Sequence, residues 1–368
     1  MVGLLFGRSR RRSIFSYIPL IRWIGPLVSV AGILVASFFA LTGRIDLSKF
    51  DTWSEQADDS AQLASTQTEG PQHESSTVPR SPMTIRVATF HIQMFGDKKS
   101  QTRSIPQVPG VDVMGTISHL IRQFDLVAIQ GVRSNDVLPV QRILDLVNEL
   151  GGSYTATVSQ PIGRAGDTEC YAFVWDMQRL RIQGQPYVVQ DTADRMRREP
   201  MVASFMTVTD PSDTREPFRF TVINAHRDSD SMSTPATASE VNVLDDVFVR
   251  VRDYEYGQTG EEDCILMGDL NAGLDDLQEL AMIPNVVSVA GDIKSDVFRR
   301  KTLDHILLDR TMTTEFTGQT GVIDFCQDLR LTETQARTIS DHLPVWAEFS
   351  IYESPRYQAN ASIPQSVR

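Results

Sequence analysis

The sequence predicts an α+β protein: a four-layer α/β/β/α sandwich, preceded by one N-terminal transmembrane helix and a flexible linker. Three observations carry this expectation. Strand-like apolar runs outnumber helical stretches from residue 83 onward, and several are apolar at nearly every position, the pattern of strands covered on both faces. A chain of 368 residues, 41% hydrophobic and 22% charged, has the composition of a folded domain with a large core. Near its start, 21 residues from Trp23 to Gly43 carry no charge.

Residues 1–22 form a basic N-terminus and 23–43 the anchor. At about 1.5 Å per residue the uncharged segment spans about 30 Å, the thickness of a bilayer core. Pro26 falls in its first turn, where proline is tolerated. A cleaved signal peptide fits less well, because Ala36–Gly43 is a poor exit site. A buried helix of a soluble protein rarely runs this long without a charge. The arginines before the span should stay cytoplasmic. The reading is therefore a single-pass membrane protein with its main domain on the outer side, periplasmic or extracellular. Residues 44–82 are rich in Ser, Thr, Gln, Asp and Glu, too polar to bury a core, and read as a disordered linker.

One domain is expected over residues 83–352, then a flexible tail over 353–368. Thr84–His91 alternates as a strand, with Ile85 and Val87 on one face and Ala88 and Phe90 on the other. Helical periodicity follows over Val111–Phe124 and Val137–Leu150, with a short apolar strand, Leu126–Gln130, between them. Further strands are predicted at Cys170–Trp175, Pro200–Val208, Phe218–His226, Cys264–Leu270, Thr302–Leu308 and Val345–Ile351, and a helix at Ala236–Val251. Two packed sheets with outer helices suit this order better than one parallel sheet.

Several polar residues stand where an apolar strand stops. His226 ends Phe-Thr-Val-Ile-Asn-Ala-His; Gly268-Asp-Leu-Asn271 follows Cys-Ile-Leu-Met; Asp304 and His305 sit in Thr-Leu-Asp-His-Ile-Leu-Leu; Ser340-Asp-His-Leu-Pro344 leads into the last strand. Singly, a strand-end His is more often structural and Asp-x-Asn is often a turn. Together they suit phosphodiester chemistry: carboxylates for a hard cation, and His beside carboxylate for proton transfer. Cys170, Cys264 and Cys326 lie too far apart for zinc-finger spacing and are too few for a disulfide scaffold.

These residues resemble the endonuclease/exonuclease/phosphatase superfamily, with motifs similar to its deoxyribonuclease I branch. The resemblance covers about residues 84–352. It includes Thr84–Gly96, Asp125–Arg133, Ser159–Arg164 with Glu169–Tyr171, Arg198–Pro200, and the strand-end motifs in family order. It implies that Glu169 pairs with His226 and Asp304 with His342 for proton transfer and phosphate activation. Asp269 and Asn271 would position the water and the scissile phosphate. Asp341 would bind a divalent cation, Mg²⁺ or Mn²⁺, with Ca²⁺ also compatible. Arg133, Arg164 and Arg198 would line the groove against DNA phosphates or sugars. No protein partner is inferable.

Two positions depart from the family pattern. His91 stands where Asn is usual, and Gly131 where a metal-binding Glu is usual. Gln130 should not replace that Glu, since adjacent strand residues face opposite ways. His91 is therefore a candidate ligand, and imidazole suits Mn²⁺ or a later metal better than Mg²⁺. The alternatives are a silent site that only binds, or a phosphatase or phospholipase of the same superfamily. The net charge of −12 divides into +6 on residues 1–44 and −18 on the rest. That excludes binding of nucleic acid by the surface as a whole and leaves recognition to local arginines and a metal.

Overall fold

In the computed structural model the described residues are 80–354, apart from 103, 106–107, 134–136 and 228–239. The expectations for the basic N-terminus, the anchor, most of the linker and the tail beyond Ser354 lie outside them. No helix among the described residues is long and apolar enough to cross a membrane.

The strands are β1 (Thr84–Phe95), β2 (Leu126–Val132), β3 (Tyr154–Val158), β4 (Ile162–Arg164), β5 (Asp167–Asp176), β6 (Leu180–Val188), β7 (Met201–Thr207), β8 (Arg219–His226), β9 (Cys264–Asp269), β10 (Val286–Ser288), β11 (Asp304–Asp309), β12 (Phe316–Val322) and β13 (Val345–Ser350). The longer helices are α1 (Val113–Ile121), α2 (Leu138–Glu149) and α3 (Val241–Thr259), with a shorter α4 (Glu333–Ile339). One sheet has the order β12-β13-β1-β2-β5-β3 with β4 paired to β5; the other has β10-β11-β9-β8-β7-β6.

Three apolar layers hold these elements. Ile85, Val87, Phe173, Phe205, Phe220, Ile306 and Phe349 pack between the sheets. Phe90, Ile117, Ile121, Ile143, Val147 and Ile339 pack the first sheet against α1, α2 and α4. Val202, Ile223, Leu244, Phe248 and Leu266 pack the second sheet against α3. The inner strands β1, β2, β5, β8, β9 and β11 thus bury both faces, which is why their sequences read as continuous apolar runs. The alternation expected in β1 is found, with Ile85 and Val87 between the sheets and Ala88 and Phe90 under the helices.

Some boundaries differ from the sequence reading. Arg80, expected in the linker, donates to the Phe124 carbonyl and the Tyr154 hydroxyl, both at 2.7 Å, so ordered packing begins before residue 83. Helix α3 extends to Thr259, eight residues further than expected, and stops at Gly260 (φ 76°), whose left-handed backbone glycine adopts without strain. Strands β6 and β12 had no clear signal. Both are half-exposed edge strands, and Gly184 and Pro186 in one and Gly318 and Gly321 in the other break the alternation.

Candidate active site

The topology gathers polar strand ends at one edge of the sandwich. In the second sheet β8 and β9 run parallel and β11 antiparallel, so His226, Asp269 and Asp304 fall in one row across three strands. In the first sheet β1 ends beside β2, and β13 runs against β1. This brings His91 to the segment Ser340–His342 just before β13. Glu169 enters from β5. Below the row, Gln130 Nε2 donates to Asn224 Oδ1 at 2.7 Å and to Thr89 Oγ1 at 3.0 Å, and Asn224 Nδ2 donates to the carbonyls of Ile129 and Ala172. This buried network ties the sheets together directly beneath the site.

Three imidazoles surround one carboxylate. Asp269 Oδ2 lies 2.9 Å from His91 Nδ1, 3.4 Å from His342 Nε2 and 3.7 Å from His226 Nε2. The other ring nitrogens of two of them are fixed: His226 Nδ1 is 3.0 Å from Glu169 Oε2 and His342 Nδ1 is 2.8 Å from Asp304 Oδ2. Asp269 Oδ1 accepts from the Asn271 amide at 3.0 Å, and Asn271 Nδ2 donates to the Arg227 carbonyl at 2.6 Å. Asn271 has φ 45°, a left-handed conformation that Asn tolerates better than most residues.

The three rings differ in charge. Burial and then the cationic His226 and His342 hold His91 well below the ordinary imidazole value, so it is neutral. Burial would lower His342 too, but the charges of Asp269 and Asp304 outweigh it and raise it to about 10. His226 is also raised, burial being outweighed by its bond to Glu169 and by the Glu169 and Asp269 charges. Glu169 is driven the other way. Its burial is overcome by the bond to His226 and the charges of His226 and Arg198, which hold it at about 2.

His305, the partner of Asp304 in sequence, is not in this cluster. Its Nδ1 meets Ser288 Oγ at 3.0 Å and its Nε2 the Ala272 carbonyl at 2.8 Å, a fully buried structural role.

The arginines divide. Arg198, expected to line the groove, is 2% exposed; its Nε is 2.9 Å from Glu169 Oε1 and its Nη2 2.9 Å from Asp167 Oδ2. It acts beneath the site by holding Glu169 ionised. Arg133 is partly exposed and binds Asp167 at 2.8 Å, and Arg164 is exposed on the same β4–β5 hairpin. On the other side, the loop before β11 is joined to the His342 segment by Val297 N to the Asp341 carbonyl (2.9 Å) and Leu343 N to the Ser295 carbonyl (2.7 Å). It carries exposed Arg299, Arg300 and Lys301. Phe298 is flanked by the guanidiniums of Arg300 (5.1 Å) and Arg337 (4.8 Å). Two arginine-bearing rims therefore flank the histidines, with Arg299 and Arg300 ion-paired to Asp324 and Glu333 at 3.3 Å and Arg164 to Asp194 at 3.5 Å.

Three positioning groups had no role in the sequence reading. Ser340 Oγ donates to the His91 carbonyl at 2.7 Å and accepts from the amides of Gln93 and His342 at 3.2 Å, clamping β1 to the final loop. Tyr171 Oη accepts from the His226 amide at 3.0 Å. Lys99 Nζ donates to the Ile339 carbonyl at 2.9 Å, and burial lowers it to about 8. Ser340 lay inside a recognised motif; Lys99 in Asp-Lys-Lys reads only as solvated charge.

The position expected for a metal-binding Glu is closed by His91. Gly131 has φ +80°, and a Cβ there would lie 2.8 Å from His91 Cδ2 and Nε2 and 2.6 Å from the Ile92 carbonyl oxygen. The register of β2 against β5 shifts between Ile129 and Val132, a bulge that breaks the simple alternation expected of Gln130 and Gly131. Gln130 is nonetheless held by Asn224 and Thr89, so it does not replace the Glu. Ligand atoms of His91, Asp341 and His342 approach within 4.8 Å of one another. Asp341 Oδ1 is buried without a hydrogen-bond partner, and His91 Nδ1 faces Asp269, which leaves Nε2 as the ring's ligand atom. With His342 protonated, the residues that fit a divalent cation are the Asp341 carboxylate and the neutral His91 imidazole.

A two-sheet sandwich with His-carboxylate pairs at one edge defines a class of phosphoester hydrolases. The sequence profile of the Endonuclease/Exonuclease/phosphatase family matches residues 110–342. The chain belongs to that family. Deoxyribonuclease-1 of Rattus norvegicus is 27% identical over 286 residues, covering 71% of this chain and 90% of that protein. Deoxyribonuclease-1-like 1 of Chlorocebus aethiops is 28% identical over 273 residues, covering 70% and 85%. Deoxyribonuclease gamma of Rattus norvegicus is 26% identical over 298 residues, covering 74% and 86%.

The buried Glu169 makes a testable contribution to stability. Its folded pKa of about 2 lies below the unfolded value, so its stabilisation is present above about pH 4.3 and is lost as pH falls through 2. The shift corresponds to about 3 kcal/mol. Glu169→Gln should therefore melt lower than wild type at pH 7, and the gap should narrow below about pH 4 and close near pH 2. A gap that persists unchanged into acid would contradict the assignment.

Proposed function

We propose that the protein is a membrane-tethered, divalent-cation-dependent phosphodiesterase that hydrolyses DNA. One observation carries the reading: two protonated imidazoles, each held through Nδ1 by a buried carboxylate, direct Nε2 toward the same oxygen of Asp269. A phosphate entering there meets two N–H donors and one carboxylate. Asp269 orients the attacking water and accepts its proton as the P–O bond forms. One imidazolium gives its proton to the departing ester oxygen, and the other holds a non-bridging oxygen. Asn271 retains a second amide hydrogen for the phosphate. Asp341 and His91 would hold the divalent cation, which would neutralise charge on the phosphate when bound.

DNA as substrate is supported by the arginine-bearing rims and by the relatives. Arg133 and Arg164 on one side and Arg299, Arg300, Lys301 and Arg337 on the other suit a polyanion longer than one phosphate. Tethering is supported by the uncharged segment 23–43 behind its arginines. The full-length protein should sediment with membranes and leave them only in detergent; release by alkaline carbonate would refute the anchor.

The substrate reading is tested by offering DNA, RNA and phosphoinositide vesicles with Mn²⁺. DNA should be turned over fastest. Arg300→Glu with Arg337→Glu should raise KM for DNA about tenfold, with kcat little changed, and lower the salt slope by about 2. Turnover of phosphoinositides with DNA left intact would favour a lipid phosphatase or phospholipase. A second reading, binding without cleavage, has Gly131 in its favour, and it predicts DNA retention with no product.

A further inference from the structure

We propose that Asp263, Glu315 and Glu353 form a calcium site that ties the two sheets together at the end of the sandwich opposite the histidines. Asp263 immediately precedes β9, Glu315 immediately precedes β12, and Glu353 lies just after β13. The first belongs to the second sheet and the other two to the first. Their carboxylate oxygens lie within 4.8 Å of one another.

Crowded carboxylates alone would be ordinary surface charge, but two of these are buried and Glu353 is half-buried. Asp263 is 2% exposed and Glu315 3%. Glu315 Oε2 is buried with no hydrogen-bond partner, and Asp263 Oδ1 makes no well-formed bond, the buried Thr313 hydroxyl being the polar group that lies against Asp263. Other oxygens of the cluster are fixed by backbone donors: Glu315 Oε1 accepts from the Ser354 amide at 2.6 Å and Glu353 Oε1 from the Arg219 amide at 2.9 Å. These bonds hold the carboxylates in place and leave free oxygens facing one another. Glu261 adds a fourth carboxylate, accepting from the Asp263 amide at 2.8 Å, while Arg219 Nε stands 3.7 Å from it. Negative charge exceeds positive around the two buried carboxylates, an arrangement that costs several kcal/mol per buried ion unless a cation or protons balance it.

The ligand set is oxygen only, which selects a hard cation. A site lined by three protein carboxylates suits Ca²⁺, which takes six to eight oxygens in flexible geometry, better than Mg²⁺, which keeps several waters and takes one or two carboxylates. Burial, and then the charges of Glu315 and Glu261, push Asp263 strongly upward, so without a cation the cluster resists ionisation. Strand β9 joins this site to Asp269 over about 20 Å, and β13 joins Glu353 to the segment bearing Asp341 and His342. An ion here fixes the relation between the sheets on which the active site depends.

The test is thermal unfolding of the full-length protein in EGTA and across a CaCl₂ titration at pH 7.5. Calcium should raise Tm saturably, by about 5 °C. The shift should survive in Asp341→Ala, which lacks the carboxylate of the other metal position. It should vanish in Asp263→Asn/Glu315→Gln, a variant that melts no lower than wild type in EGTA because its carboxylates no longer repel. Should that variant fail to fold, Tb³⁺ luminescence sensitised through the neighbouring Tyr352 decides on the Asp341→Ala protein: saturable emission displaced by Ca²⁺ supports the site. The proposal is overturned by equal Tm in EGTA and calcium, by a shift that Asp341→Ala abolishes, or by absence of Tb³⁺ emission. Equal Tm with stability falling as pH rises would mean that protons, and not calcium, balance the cluster.

Discussion

Asp269→Asn is expected to reduce phosphodiester hydrolysis by at least about 10³-fold, the usual scale for losing a general base together with a preorganised charge. Asp269 is fully buried and is the one carboxylate shared by His91, His226 and His342. An amide keeps the shape of the side chain but cannot accept the water's proton. It also removes the charge that, ahead of Asp304, overcomes burial to raise His342 to about 10. The loss should fall on kcat, with DNA binding through the rims preserved. A pH signature separates this from simple misfolding. A raised histidine pKa stabilises the fold fully below about pH 6.5, and that stabilisation fades as pH climbs toward 10. In EDTA the stability gap between wild type and Asp269→Asn should thus be widest at or below pH 6.5 and narrow toward pH 10. Denaturant melts across that range check it. A gap that widens with pH would contradict the charges assigned to the cluster.

Gly131→Glu, which restores the residue type usual in the family, is expected to damage the protein. The added side chain would sit on a backbone at φ +80°, a conformation costing about 1–3 kcal/mol for a residue other than glycine. Its Cβ would also overlap the Ile92 carbonyl at 2.6 Å and the His91 ring at 2.8 Å. We expect a loss of about 3 kcal/mol or more and no gain in Mg²⁺-supported activity. The double variant His91→Asn/Gly131→Glu removes the ring contact but not the contact with Ile92. It should melt above the single variant and below wild type. Positions 91 and 131 are thus coupled, and His91 cannot be separated from the loss of the Glu. A Gly131→Glu protein as stable as wild type, with higher activity in Mg²⁺, would show that they are independent.

The sequence carried much of this architecture. Fully buried strands such as β9 and β11 announce themselves because both faces are apolar, and the polar residue that ends each one stands out. The pairs Glu169–His226 and Asp304–His342 came from family resemblance, and their side chains meet at hydrogen-bond distance. Less visible was what depends on strand register and bulges. Nothing local distinguishes Arg198, which is buried under Glu169, from Arg164, which is exposed. The contact between His91 and Gly131 depends on β1 lying beside a bulged β2, a relation between segments 40 residues apart. The convergence of three histidines on Asp269 is likewise a product of two sheets meeting. Asp263, Glu315 and Glu353 are scattered acidic residues until β9, β12 and β13 bring them together.

The overall acidity of the domain now has a local meaning. Its charge excess includes a carboxylate cluster at one end, while two imidazoliums and the arginines of the rims stand at the other. Such polarity lets an acidic protein present a cationic mouth to a polyanion.

The central claim is most directly tested by nicking of supercoiled plasmid with the purified full-length protein at pH 7, in Mn²⁺, in Mg²⁺ and in EDTA. A neutral imidazole beside a single carboxylate predicts nicking that is faster in Mn²⁺ than in Mg²⁺ and absent in EDTA. Plasmid left intact in both metals would contradict the account and leave the domain a binding module.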